Sequence, residues 1–495
     1  MKTSPIQRSY NLSRSRMLSL LCPFIFIIGS YNYSYAQTVE SFTANGIESE
    51  ITKFDQKVQE LMSNVGIPGL SIAVIDNNQV VYSNGYGYKE LGSEEKVDNK
   101  TIFEGCSLSK NLLSYAVHKV VEEGKLDMDE PLYKHLPHPD LEYDERYKLI
   151  TPRMILSHSS GIENWSVYYD IEKLEIVAEP GTKFVYSGEG FNYLAKVVEK
   201  ILGKSYTEYI QDIILSPLEL DRTFVSYETN PTNYAIGHST VGKKFEKWKN
   251  DYVFPASGVH FTADNYARII ASMFDGEHFT KEQINNIITP IVSTSSDDSN
   301  LFFGPGFEII YTDNDTLIAH SGSNDGFKGT MFYSLATKSG LAYLTNSDLG
   351  ESIAAELFKT TLGFDLSFYY DEISQYPSPI LSLLHAYKSH GSEQMFKAIT
   401  SMKKNKEDAA MMEILNELAW LFFEEEKEVA TQVLKTNIAY YPESPEAFYI
   451  LGELHFESQQ YAPAYTNLIK AQSMELSNAD LDQMVSYCKE QLNMD

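Results

Sequence analysis

The stretch FEGCSLSK, residues 103–110, decides how the rest of this chain is read. It contains Ser-x-x-Lys, which on a helix sets the two side chains on one face, a turn apart. The pattern occurs four times, at Ser93/Lys96, Ser107/Lys110, Ser401/Lys404 and Ser486/Lys489, so surroundings have to choose. Ser93 lies in the charged segment LGSEEKVDNK with no apolar helix behind it, and Lys96 is expected in solvent. Ser401 and Ser486 lie in helical sequence without reactive company. Ser107 opens the series Leu108, Leu112, Leu113, Ala116, Val117, Val120, Val121, which predicts an amphipathic helix stopped by Gly124. A helix start carries free backbone N–H groups. A serine hydroxyl needs a base or proton shuttle within hydrogen-bond reach, and a desolvated lysine can be one.

Around this centre the pattern is mixed. Ile51, Phe54, Val58, Leu61 and Met62 predict a helix from Glu48 to Met62. GLSIAVIDNNQVVYSNGYG then gives two β-rich runs about the turn Asp76-Asn-Asn78, a hairpin. The region from about 125 to 300 is expected to be mostly helical with many loops. Further β-rich runs, FEIIYT, GTMFYSL and GLAYLTN, return between 303 and 347, followed by a helix from about Ser352 to Leu362. Strands at both ends enclosing a helical insertion imply one sheet built from both ends, an α/β domain over 45–366 with a helical subdomain. Residues 367–379, including DEISQYPSPI at 371–380, are expected to be a linker to an all-α region at 380–495. There Phe448, Leu451, Gly452, His455, Ala464, Leu468 and Ala471 fall at tetratricopeptide offsets. Leu415, Leu418, Ala419, Phe422, Ala430 and Leu434 repeat the pattern less perfectly, with Pro442 near the expected end. Such repeats are expected to pack on the first domain or to bind a partner.

With 495 residues, 43% hydrophobic and 13% aromatic, the chain is globular and long enough for two domains. Lys2, Arg8, Arg14 and Arg16 precede an apolar run from Met17 to Gly29 and then Ser34-Tyr-Ala36, the layout of a cleavable signal peptide over 1–36. Export to the periplasm or medium is therefore expected, with no membrane span in the mature chain. Cleavage after Ala36 removes four positive charges and no acid, taking the net charge from −28 to −32. So acidic a chain argues against nucleic acid or anionic membranes as partners. Cys22 leaves with the leader, and Cys106 and Cys488 are too far apart in sequence to suggest a disulfide framework.

FEGCSLSK resembles the first motif of the β-lactamase and penicillin-binding protein superfamily, specifically class C β-lactamase-like serine hydrolases. ITPRMILSHSSGI at 150–162 resembles the segment before that family's active-site insertion. PGTKFVYSGEGFNYLAKVVEKILGKSY at 180–206 resembles its Tyr-x-Asn motif, with Tyr186 as the tyrosine. HSGSNDGF at 320–327 resembles its third motif in the His-x-Gly form. The resemblance, over about 48–363, implies Ser107 as acylated nucleophile, with Lys110 and Tyr186 as its proton carriers. It implies an oxyanion hole from the backbone N–H groups of Ser107 and Ser323, and a substrate-binding strand with His320 and Gly322. Which of Lys110 and Tyr186 takes the first proton is left open. His158 reads as structural, and Cys106 as a small buried hydrophobe rather than a nucleophile. Where the second motif has asparagine this chain has Gly188, and where the third can have lysine it has His320. Both changes weaken the grip on a β-lactam.

Other signatures fail. Gly203-Lys-Ser205 lacks the rest of a P-loop, no Gly-x-Ser-x-Gly elbow is present, and no His-Glu-x-x-His or paired Cys-x-x-Cys implies a metal. No cofactor is expected. The expected function is acyl transfer from a small-molecule or peptide substrate, an amide or ester. The alternatives are a genuine β-lactamase, or a silent scaffold that binds partners through its repeats.

Overall fold

The computed structural model describes residues 40–494 except 165–173, 226–231, 247–252, 296–299, 367, 371–374 and 406–407. The expected leader lies outside the described residues. A small hairpin, β1 (Ser41–Ala44) and β2 (Ile47–Glu50), leads into helix α1 (Ile51–Val65). Residues 48–50, expected in the helix, finish β2 instead. β3 (Gly69–Asp76) and β4 (Gln79–Gly87) form the expected hairpin. Asn77 and Asn78 turn it with φ of 46° and 61°, a conformation asparagine tolerates.

β3 lies between β4 and the last strand of the sheet, β13 (Gly340–Thr345), in antiparallel register from Gly340↔Ile75 to Thr345↔Leu70. Both ends of the domain thus build one eight-stranded sheet. It continues through β12 (Phe327–Ser334), β11 (Thr316–Asn324), β10 (Glu308–Tyr311), β9 (Leu301–Phe303) and β8 (Val292–Ser293). Alternation along β13 sends Leu341 and Tyr343 to one face and Ala342 and Leu344 to the other. All four are buried, so the strand reads as an unbroken apolar run.

One face carries the insertion: α2 (Ser109–Glu122), α3 (Pro152–Leu156), α4 (Gly188–Leu202), α5 (Tyr206–Ile210), α6 (Ala263–Phe274) and α7 (Lys281–Ile287). A three-stranded ribbon of β5 (Phe103–Glu104), β6 (Thr223–Phe224) and β7 (His260–Phe261) crosses it. Strands of two residues leave no periodicity to read, so β6 and β7 are not predicted within the mostly helical stretch expected from about 125 to 300.

The other face carries α1, α8 (Ala354–Leu362) and then α9 (Pro379–His390), α10 (Ser392–Lys403), α11 (Asp408–Phe422), α12 (Lys427–Tyr440) and α13 (Pro445–Glu457), after which α14 (Tyr461–Gln472) and α15 (Ala479–Gln491) share a small core of their own. Ile380, Leu381, Leu383 and Leu384 of α9 share one apolar core with Phe54, Val58 and Leu61 of α1 and with the sheet. Polar ties reinforce it: Lys388 Nζ donates to Gly66 O at 3.3 Å, and Ser239 Oγ to Glu425 Oε2 at 2.6 Å. Where the expected linker is described it is held down, with Tyr369 OH donating to Glu308 Oε2 at 2.6 Å and Tyr376 N–H to Ser352 O at 2.8 Å.

Four buried side chains on α9, each contributing about 1.5–3 kcal/mol, predict that a chain ending at Phe368 melts well below the full protein and binds an apolar dye. Equal melting temperatures and solubility for the two chains would contradict the shared core.

Candidate active site

Ser107 sits in a single tight turn, Cys106–Leu108, between β5 and α2. Cys106 adopts φ of 51°, costly for a residue with a Cβ, and this bend sets Ser107 ahead of the helix proper. α2 itself corrects an expectation. Rather than having one apolar side, it is buried on nearly all sides, because it runs between the sheet and the rest of the insertion. Its polar residues are bonded in place. Ser109 Oγ donates to Cys106 O (2.6 Å) and accepts from Val259 N–H (3.0 Å). Asn111 Nδ2 donates to Gly306 O (2.8 Å) and Ser114 Oγ to Pro305 O (2.8 Å).

Lys110, one turn on, is fully buried. Its Nζ lies 3.2 Å from Ser107 Oγ and donates to Ala256 O at 2.8 Å. Burial pulls the amine down to about 7, because a desolvated ammonium is disfavoured. At neutral pH a sizeable fraction is therefore the free amine.

Tyr186 comes from the segment before α4, and its phenol reaches Ser107 Oγ at 2.7 Å. Burial pushes that phenol up to about 12, so it keeps its proton at neutral pH. Lys110 Nζ lies 4.8 Å from the centre of the Tyr186 ring. Two residues, one a turn along and the other distant in sequence, thus converge on the Ser107 hydroxyl.

β11 closes the site from the sheet side. β10 pairs only with Thr316–Ala319, so among the described residues His320–Asn324 are paired by β12 alone and their other edge is open. Gly322 is needed for contact: a Cβ there would stand 2.9 Å from Ser107 N and 2.8 Å from Cys106 Cβ. Ser323, next along, therefore lies beside the Ser107 turn, exposed. His320 is buried, and its Nδ1 bonds Ser321 O at 2.8 Å. A carbonyl only accepts, so the Nδ1 carries the proton. Burial first, then the neighbouring Lys110, holds this imidazole down to about 3, and it is neutral.

Gly188 is the first residue of α4, and its N–H donates to Asn164 Oδ1 at 2.7 Å. A carboxamide from another segment thus lies against the backbone at position 188, a contact that the motif does not record. Cys106 is buried and its thiol is pushed well up by burial, as suits a packing residue. Of the other candidate pairs, Ser93 accepts from Glu95 N–H in an exposed loop, Lys404 donates its own N–H to Ser401 O at a helix end, and Ser486 bonds Asp482 O within α15. None meets a tyrosine or a second proton carrier in these bonds. No group of three or more metal-ligating side chains occurs among the described residues.

The chain belongs to the β-lactamase family: the family model described as Beta-lactamase matches residues 54–361. It is similar to Protein flp of Staphylococcus aureus (strain MW2), 26% identical over 317 residues, which cover 59% of this chain and 62% of that protein. The chain thus spans under two thirds of that relative's length. Among solved structures it is similar to the octameric penicillin-binding protein homologue from Pyrococcus abyssi, with a TM-score of 0.54 and 25% identity over 61% of this chain and 74% of that one. A D-stereospecific amidohydrolase from Streptomyces sp. shares the fold, with a TM-score of 0.54 and 18% identity over 63% of this chain and 98% of that one.

Because the Gly322 contact leaves no room, Gly322→Ala should displace the Ser107 turn. The expected outcome is a destabilisation of about 1–3 kcal/mol and labelling of Ser107 by a fluorophosphonate at least about tenfold slower. Labelling at the wild-type rate would show that the two segments do not meet as described.

Proposed function

We propose that this protein is a hydrolase that forms an acyl-enzyme on Ser107, acting on a peptide, amide or ester. The observation that carries the reading is the convergence of Lys110 Nζ, at 3.2 Å, and Tyr186 OH, at 2.7 Å, on Ser107 Oγ. The two partners divide the work by acidity. An amine near 7 is the available base at neutral pH, whereas a phenol near 12 is a donor. Neutral Lys110 takes the Ser107 proton as Oγ bonds to the substrate carbonyl carbon, and the carbonyl π pair moves to oxygen. The N–H groups of Ser107 and Ser323 face that oxyanion, a form of stabilisation whose removal costs about 3–4 kcal/mol per donor in comparable sites. The tetrahedral species then expels its amine or alcohol, which takes a proton from the Lys110/Tyr186 pair. Water repeats the sequence to release the acid.

His320 is neutral, so it offers no charge to anchor a substrate carboxylate. This favours small esters and amides over penicillins and cephalosporins, whose turnover is expected to be slow. Export of the mature chain and a docking role for the C-terminal helices belong to the same proposal. The repeat-like pairing of those helices is supported by a small residue where two of them cross: a Cβ on Gly452 of α13 would stand 2.7 Å from Leu468 of α14.

The test is covalent labelling of the intact protein with a fluorophosphonate, followed by peptide mapping across a pH series. The label should map to Ser107, vanish in Ser107→Ala and persist in Ser93→Ala and Ser401→Ala. Its rate should rise through about pH 7 as Lys110 loses its proton and then level off. A label on another residue, or a rate independent of pH between about 6 and 8, would defeat the proposal.

A further inference from the structure

The tyrosine of the site is held on both sides by one residue that the chemistry above does not use. His158 lies in the SHSSG stretch at 157–161, just after α3. Its carbonyl accepts the N–H of Val185 at 2.7 Å, and its Nδ1 accepts the N–H of Ser187 at 3.0 Å. Both chain neighbours of Tyr186 are therefore tied to it. The imidazole also stacks on the Tyr186 ring, with centres 4.2 Å apart and planes 23° from parallel. Phe184, Phe191 and Phe303 pack around the same imidazole at 5.8, 4.9 and 4.8 Å.

The placement is specific. His158 is fully buried and adopts φ of 53°, a left-handed conformation that is strained for a side chain of this size and persists only where surroundings impose it. Since Nδ1 receives a donor, it carries no proton, and the ring's proton is on Nε2. Burial, with Lys110 and His320 nearby, disfavours the imidazolium, so the ring is a neutral wall. Such a wall matters because a tyrosine reaches far from its backbone. A swing of about 20° at Cα–Cβ moves the phenolic oxygen by about 2 Å, enough to break the bond to Ser107.

We propose that His158 is the positioning residue of this site: clamped to the backbone on either side of Tyr186 and stacked on its ring, it fixes the phenol against the Ser107 hydroxyl without touching substrate. The inference rests on the reading of Ser107 as the acylated residue.

A double-mutant cycle on the full chain tests it. His158→Asn keeps the carbonyl, supplies Oδ1 in the place of Nδ1 for Ser187 N–H, and suits the positive φ. It removes only the ring. With p-nitrophenyl acetate the expected result is a fall in kcat of about 10- to 100-fold, with KM changed by less than about threefold. In a Tyr186→Phe background the same substitution should lower kcat by less than about twofold, because the phenol it positions is gone. His158→Phe, which keeps a ring and loses the acceptor, should recover part of kcat while melting at a lower temperature. Equal losses in both backgrounds, or no loss in the wild-type background, would overturn the positioning role. Mapping of a fluorophosphonate on wild type separates the two claims. A label at Ser107 with equal losses in both backgrounds sinks His158 alone, whereas a label elsewhere sinks the reading of the site and this inference with it.

Discussion

An amine buried against a serine hydroxyl is the constraint around which this molecule is arranged. In water the Lys110 ammonium is solvated and inert as a base. Under the insertion it is stripped of water, and the neutral form becomes accessible near pH 7. That requires a lysine shut off from solvent, and α2 is accordingly enclosed on almost every side, with Asn111 and Ser114 bonded to the 304–306 loop and Ser109 to Cys106 and Val259. The strain at Cys106 and the bare Cα of Gly322 follow from the same demand, since the serine must stand between the helix and the sheet.

The sheet supplies the rigid side of that vice. Because β3 and β13 come from opposite ends of the domain and pair along six residues, the insertion between them is anchored at both of its roots. The back face is finished by α9 and the helices after it. Deleting those helices would uncover the apolar core that they share with α1 and the sheet, so the C-terminal region is part of the support behind the proposed site.

Much of this was legible in the sequence. Ser107 stood out from three other serines through context alone, and the hairpin at 69–87 and the return of strands after 303 implied a sheet closed by both ends. Other features were not legible, for identifiable reasons. The helix at Ser107 was read as one-sided because Ser109, Asn111 and Ser114 are polar, whereas their bonds let them be buried. β11 has no clean alternation, since TLIAHSGSN spends its positions on the site rather than on packing. Gly188 suggested a missing carboxamide, but Asn164, 24 residues earlier, brings one to its N–H. His158 looked merely structural because its effect is on the shape of another segment, and no motif spacing records a clamp between 158 and 185–187.

The proposed chemistry depends on the acidity of one amine, and that can be measured without any substrate. With lysines labelled at Cε, the carbon resonance of Lys110, assigned by its loss in Lys110→Arg, should titrate with a midpoint near 7. A midpoint near the ordinary 10.5 would mean that the amine is solvated and protonated at neutral pH, and would contradict its role as the base for Ser107.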